Sequence, residues 1–168
     1  MICFGDLCFD TPEMEVYQWL KEVLDGYDFV SNIIAGNHDD SRMIAATFGN
    51  LDRFCFEENE LYWEDCWGGH PVLFLDSAKG DLSPKQAHWA MRRVQQAKKS
   101  PLIFMHHPPA ALSVPYMDAL LPRPDPNLFE GIVQNSAQAV HIFVGHYHVD
   151  KVLMSEKMVI WACPSTYY

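Results

Sequence analysis

No run in this chain approaches the roughly 20 consecutive apolar residues that a membrane-spanning helix needs. The first residues, Met1-Ile2-Cys3-Phe4-Gly5-Asp6, lack the basic start and long apolar core of a secretory leader, so a cytoplasmic protein is expected. Basic residues are scarce too. Twelve Lys and Arg against 22 Asp and Glu leave a net charge of −10, which argues against a protein that grips a nucleic-acid polymer by bulk electrostatics. The weak basic run Arg92-Arg93 and Lys98-Lys99 falls within one predicted helix and reads as a solvated face. The five cysteines, Cys3, Cys8, Cys55, Cys66 and Cys163, are odd in number and contain no CxxC pair. That excludes a disulfide framework and a thiolate zinc site and leaves buried free thiols as the expectation. An anionic substrate would then have to be drawn by something other than surface charge, and a bound metal is the usual device.

What is present is material for a core: 168 residues, 49% of them hydrophobic and 13% aromatic, suit a single domain over residues 1–168. Short apolar runs alternate with amphipathic stretches, which predicts an α/β fold. Strands are predicted at Met1 to Phe4, Phe29 to Ala35, Leu61 to Trp63, Pro71 to Leu75, Leu102 to Met105, Val140 to Val144, Lys151 to Met154 and Met158 to Ala162. Several are continuous apolar runs, as expected of strands covered on both faces. Helices are predicted from about Pro12 to Leu24, Ser41 to Phe48, Pro84 to Lys98 and Asn127 to Ala137. For the third, Ser83 as N-cap, Pro84 at the first position and Gln86 read as a capping box. Ala110 to Pro126 holds several prolines and is expected to be an irregular surface loop that shapes a pocket.

Four apolar runs end alike. "MICF" leads into Gly5-Asp6, "FVSNIIA" into Gly36-Asn37-His38-Asp39, "PLIFM" into His106-His107, and "VHIFV" into Gly145-His146-Tyr147-His148. Ligands gather at the carboxyl ends of strands in sheets of this type, so parallel neighbours would bring these side chains to one rim. A carboxylate, an amide oxygen and several imidazoles form a mixed N/O set suited to Mn, Fe, Zn or Co rather than Ca or a thiolate cluster. Each piece alone is an ordinary turn or a stray histidine; their repetition directly after buried strands is the signal. His70, His88 and His141 lie away from any such turn and are read as structural.

In that order the four motifs resemble the calcineurin-like metallophosphoesterases, and within them the bacterial cyclic-AMP phosphodiesterase branch. Gly5-Asp6-Leu7 with Asp10, Leu75-Asp76-Ser77, Gly80-Asp81-Leu82-Ser83 ahead of Gln86 and Trp89, and Pro164-Ser165-Thr166 carry the closer likeness. The resemblance implies a four-layer α/β/β/α sandwich and two divalent metals, Mn, Fe or Zn. It implies that Asp6 bridges the metals, that Asn37, His106 and His146 complete one site, and that His148 ligates the other metal. His38 would meet the phosphate and protonate the leaving oxygen, with metal-activated water as nucleophile. His107 either touches substrate or packs, and Tyr147 is loop packing or pocket wall. Asp39, Asp40 and Asp76 are candidates to orient the histidines, with helix N-capping the preferred reading of Asp40.

The family begins with a strand ending in Asp-x-His, which this chain does not contain, and it usually continues beyond the Pro-Ser-Thr motif. The expectation is a domain short at its N-terminal and also its C-terminal end and lacking the first strand, with two metals in a complete site and a single metal in the intact half-site as the alternative for this chain. Three accounts stay open: a fragment, a genuine shortened protein, or a relative that keeps the fold without the catalysis. Exposed strand edges would then favour a homo-oligomer. The implied function is hydrolysis of a small phosphodiester, cyclic AMP first. The alternatives are a glycerophosphodiester or phosphomonoester substrate, or a binding module.

Overall fold

The computed structural model describes residues 1–49, 55–57, 59–120 and 124–166. In chain order the elements are β1 (Ile2–Cys3), α1 (Met14–Asp25), β2 (Asn32–Ile33), α2 (Ser41–Phe48), β3 (Cys55–Glu57), β4 (Glu60–Trp67), β5 (His70–Phe74), α3 (Pro84–Gln95), β6 (Leu102–Met105), α4 (Pro115–Leu120), α5 (Pro126–Gln134), β7 (Val140–Val144), β8 (Lys151–Met154) and β9 (Met158–Ala162). The seven-stranded sheet runs β3-β4-β5-β6-β7-β9-β8, while β1 and β2 form a separate parallel pair. Within the large sheet β5, β6, β7 and β9 are parallel, and antiparallel strands flank them on both sides.

Alternation along the central strands divides the core. Leu73, Ile103, Met105, Ile142 and Val144 face α3 and α5, where they meet Ala87, Ala90, Val94, Phe129 and Ile132. Val72, Phe74 and Phe104 face the other way, towards Ile33, Ile34 and Ala35 beside β2 and towards Tyr17 and Ile44 of α1 and α2. The layers are therefore helix, large sheet, small sheet and helix, the sandwich expected. On the inner face an aromatic row crosses five strands in register, Trp63↔Phe74↔Phe104↔Phe143↔Trp161. Neighbouring rings lie between 4.4 and 6.1 Å apart, and Phe4 of the loop after β1 rests on Phe104 at 6.1 Å.

Several expectations are corrected. The segment Ala110 to Pro126 is not wholly irregular, because α4 occupies its middle; Pro115 opens a helix there, where the missing N–H costs nothing. The first two predicted strands pair over only two residues each, and Phe29 and Val30 are solvent-exposed. The capping box at Ser83 is half formed. Its hydroxyl accepts the Gln86 N–H at 3.2 Å, but the Gln86 side chain turns to the Asp76 backbone and to Glu60. Cys8 is a buried thiol as expected, whereas Cys66 is exposed; the Cys55 side chain lies outside the described residues. Among the described residues no helix is long and apolar enough to cross a membrane.

Candidate metal centre

The parallel strands deliver the four loops to one place, and glycines let them close. Gly5 (φ +87°) and Gly36 sit backbone to backbone: a Cβ on Gly5 would meet the Gly36 nitrogen at 2.3 Å, and one on Gly36 would meet Asp6 Oδ1 at 2.2 Å. The loops from β1 and β2 therefore touch only because neither residue has a side chain. Asp6, His146 and His148 hold φ of 53°, 60° and 52°, a left-handed conformation that is uncommon outside glycine and costly enough to persist only where the surroundings enforce it.

His106 is the focus. Its Nδ1–H donates to the Phe4 carbonyl, which in the neutral ring leaves the Nε2 lone pair facing inward. Around Nε2 stand Asp6 Oδ2 at 3.2 Å, Asn37 Oδ1 at 3.1 Å and His146 Nδ1 at 3.0 Å. A proton on Nε2 can satisfy one of these neighbours at a time, whereas a cation satisfies all four atoms together. Each of the three distances from Nε2 is close to the about 3.0 Å that separates adjacent vertices of an octahedron with metal–ligand arms of about 2.1 Å. Asp6, Asn37, His106 and His146, the set predicted for one site, are thus brought together.

The electrostatics agree with this donor set. Burial works to raise the Asp6 pKa, but bonding and charge from His106 and His38 outweigh it and bring the carboxylate down to about 2. Burial, then the charge of His106, presses His146 down to about 4 and His107 to about 2, so both are neutral and able to ligate at neutral pH. His107 is fully buried and lies in the same group, its ring nitrogen within 4.8 Å of those of His106 and His146. Its Nδ1 is engaged by Ser77 Oγ at 3.1 Å, and Ser77 Oγ also accepts the His107 N–H at 3.0 Å. Among the described residues the ring nitrogens of His106, His107 and His146 thus form one metal-competent group, with Asp6 and Asn37 beside it at His106 Nε2.

The other predicted residues stand further out. His148 is exposed and outside the cluster. His38 is half-buried; its N–H donates to Asp6 Oδ1 at 3.2 Å, and its Nδ1–H donates to the Asp10 carbonyl at 3.2 Å, which turns Nε2 outward. Asp40 caps α2, accepting the N–H groups of Arg42 and Met43. Asp39 and Asp76 touch no histidine. Asp39 accepts the N–H of Gly36 at 2.9 Å, the N–H of Leu7 at 3.1 Å and the Tyr17 hydroxyl at 3.1 Å, and thereby staples the two ligand loops to α1. Asp76 takes the Ser41 hydroxyl and the N–H groups of Leu61 and Ala78. Sequence reasoning missed the Phe4 carbonyl, which orients the central ligand; a backbone acceptor leaves no mark in residue types.

No protein-family model matches the chain. A protein of Fibrobacter succinogenes named a probable cyclic nucleotide phosphodiesterase is 27% identical over 166 residues, covering 99% of this chain and 64% of that protein. The glycerophosphodiester phosphodiesterase GpdQ of Enterobacter lignolyticus is 29% identical over 177 residues, covering 99% of this chain and 62% of its own length. The chain thus spans less than two thirds of these curated relatives. Among solved structures, a dimetal phosphatase from Danio rerio superposes with a TM-score of 0.69 at 11% identity, over 88% of this chain and 65% of that one, which shows the shared fold.

Proposed function

We propose that the chain, which belongs to the calcineurin-like metallophosphoesterase superfamily, forms the metal-binding body of a hydrolase acting on a small phosphodiester, with a 3',5'-cyclic nucleotide, cyclic AMP foremost, as substrate. The observation that carries the reading is the convergence of Asp6, Asn37 and His146 on His106 Nε2 at 3.0 to 3.2 Å. These four residues would hold one divalent ion, and the mixed N/O set suits Mn, Fe or Zn. Asp6 and the exposed His148 would serve a second ion. A divalent metal bound here supplies charge neutralisation at phosphate oxygens and a lowered pKa for the attacking water.

The protein's own contribution is positional. His106 is locked in one tautomer by Phe4, and Asp6 is locked by the His38 N–H and by His106. His38, anchored by its Nδ1–H on the Asp10 carbonyl, presents Nε2, and in its doubly protonated form the Nε2–H is the proton handed to the departing oxygen, which leaves the ring neutral. For His107, full burial and two hydrogen bonds to Ser77 favour packing over substrate contact, while its buried Nε2 has no hydrogen-bond partner among the described residues. The net charge of −10 supports a small substrate rather than a nucleic-acid polymer. A glycerophosphodiester is the second reading, favoured by the name of the Enterobacter relative. Self-association belongs to the proposal, supported by the exposed Phe9, Trp19, Tyr27 and Val30.

The experiment is hydrolysis of bis-p-nitrophenyl phosphate and of cyclic AMP by the Mn-loaded chain and by Asn37→Ala. Loss of one ligand is expected to lower turnover by about 10- to 100-fold. Equal rates would remove the proposed site, and nucleotide binding without turnover would establish a binding module instead.

A further inference from the structure

The turn that presents His146 is strained, and something must hold it. Tyr147 N–H donates to the Gly145 carbonyl at 2.6 Å across His146, whose φ is 60°. This is a γ-turn with a left-handed central residue, a rare and costly conformation. On its near side the Gly145 N–H donates to the His106 carbonyl at 3.1 Å, so the turn is tied to the loop of the central ligand. On its far side the anchor is Tyr147. The side chain is 2% exposed, and its hydroxyl donates to Asp118 Oδ1 at 3.1 Å.

Asp118 is itself a hub. Its carboxylate accepts the Leu112 N–H at 2.9 Å and the Val114 N–H at 2.8 Å, closing residues 112–118 into a compact corner. That corner follows His106-His107-Pro108-Pro109 along the chain, so Asp118 fastens the segment leaving one ligand to the turn carrying another. Lys151 holds the same corner independently, donating to the carbonyls of Leu112 and Ser113 at 3.0 and 2.6 Å.

We propose that Tyr147 and Asp118 are a positioning pair: their hydroxyl–carboxylate bond holds His146 in its metal-facing turn and couples metal affinity to the conformation of the segment from Leu112 to Leu120. The pair rests on the reading of His146 as a ligand.

The test is calorimetric titration with Mn²⁺ of the chain, Tyr147→Phe, Asp118→Ala, their double variant and Lys151→Met, with melting curves in chelator to confirm folding. Tyr147→Phe keeps the ring's packing and is the variant safest for the fold. Each single change of the pair is expected to weaken Mn²⁺ binding about tenfold, the range found when a partner behind a ligand is lost. The double variant should lose less than the product of the two single losses, because the bond between them can be lost only once. Lys151→Met should stay within about twofold, since it loosens the corner without touching the turn. Unchanged affinity in Tyr147→Phe, an equal loss in Lys151→Met, or multiplicative losses in the double variant would overturn the pair. Absence of Mn²⁺ binding by the unaltered chain would instead overturn the metal reading itself.

Discussion

The proton on His106 Nδ1 is directed by a backbone group: the Phe4 carbonyl accepts it, and the inward nitrogen is left bare. Its neighbours are tuned by burial. His146 and His107 hold pKa values of about 4 and about 2 in the fold, against 6.5 for an ordinary imidazole. Both are lowered, so in metal-free protein the unfolded state takes up protons first as the pH falls. Their stabilising contribution is complete above about pH 6.5 and drains away as the pH drops through about 4 for His146 and lower still for His107. Burial raises Asp39, Glu60 and Asp76, and these carboxylates act in the opposite sense over the same range. Urea unfolding in chelator is therefore compared between proteins: between pH 7 and pH 4.5 His107→Gln is expected to lose less stability than the unaltered chain. An equal pH dependence in the two proteins would contradict this. Asp6 acts in a separate, more acidic window, between its ordinary value of 3.8 and about 2. At this scale the ligands were legible because their chemistry is in their side chains. The Phe4 carbonyl and the bond between Tyr147 and Asp118, 29 positions apart, were not, since neither leaves a local pattern.

Elements repeat the lesson with different causes. β6, β7, β8, β9 and α2 fall where the sequence predicts them, because continuous apolar runs and the Asp40 cap are local signals. α4 was hidden by its own proline, read as a breaker although Pro115 stands at a helix start. The aromatic row was invisible for another reason: its register is fixed by strand pairing across the sheet, and each strand carries only one member of Trp63, Phe74, Phe104, Phe143 and Trp161. Phe104 is its middle rung, with Phe143 at 4.8 Å, Phe74 at 5.2 Å and the ligand-loop residue Phe4 at 6.1 Å. Phe104→Ala is expected to cost about 3 to 5 kcal/mol in urea unfolding and to weaken metal binding through Phe4. A cost below about 1 kcal/mol would show that the row collapses around the gap and is not a support for the site.

For the whole molecule, the small sheet leaves an apolar groove against the large one. It encloses about 710 Å³ and is lined by Met1, Ile2, Phe4, Val30, Trp67 and Phe104 among others. The large hydrophobics Phe9, Trp19 and Tyr27 are also exposed. Self-association is the expected outcome in light scattering at micromolar concentration, and a clean monomer would count against it.

The central claim concerns the four atoms gathered at His106, and metal content tests it most directly. After Mn²⁺ loading and gel filtration, elemental analysis is expected to find about one ion per chain in the unaltered protein and close to none in His106→Ala. A folded chain that retains no metal, or a His106→Ala variant that retains as much as the original, would contradict the account.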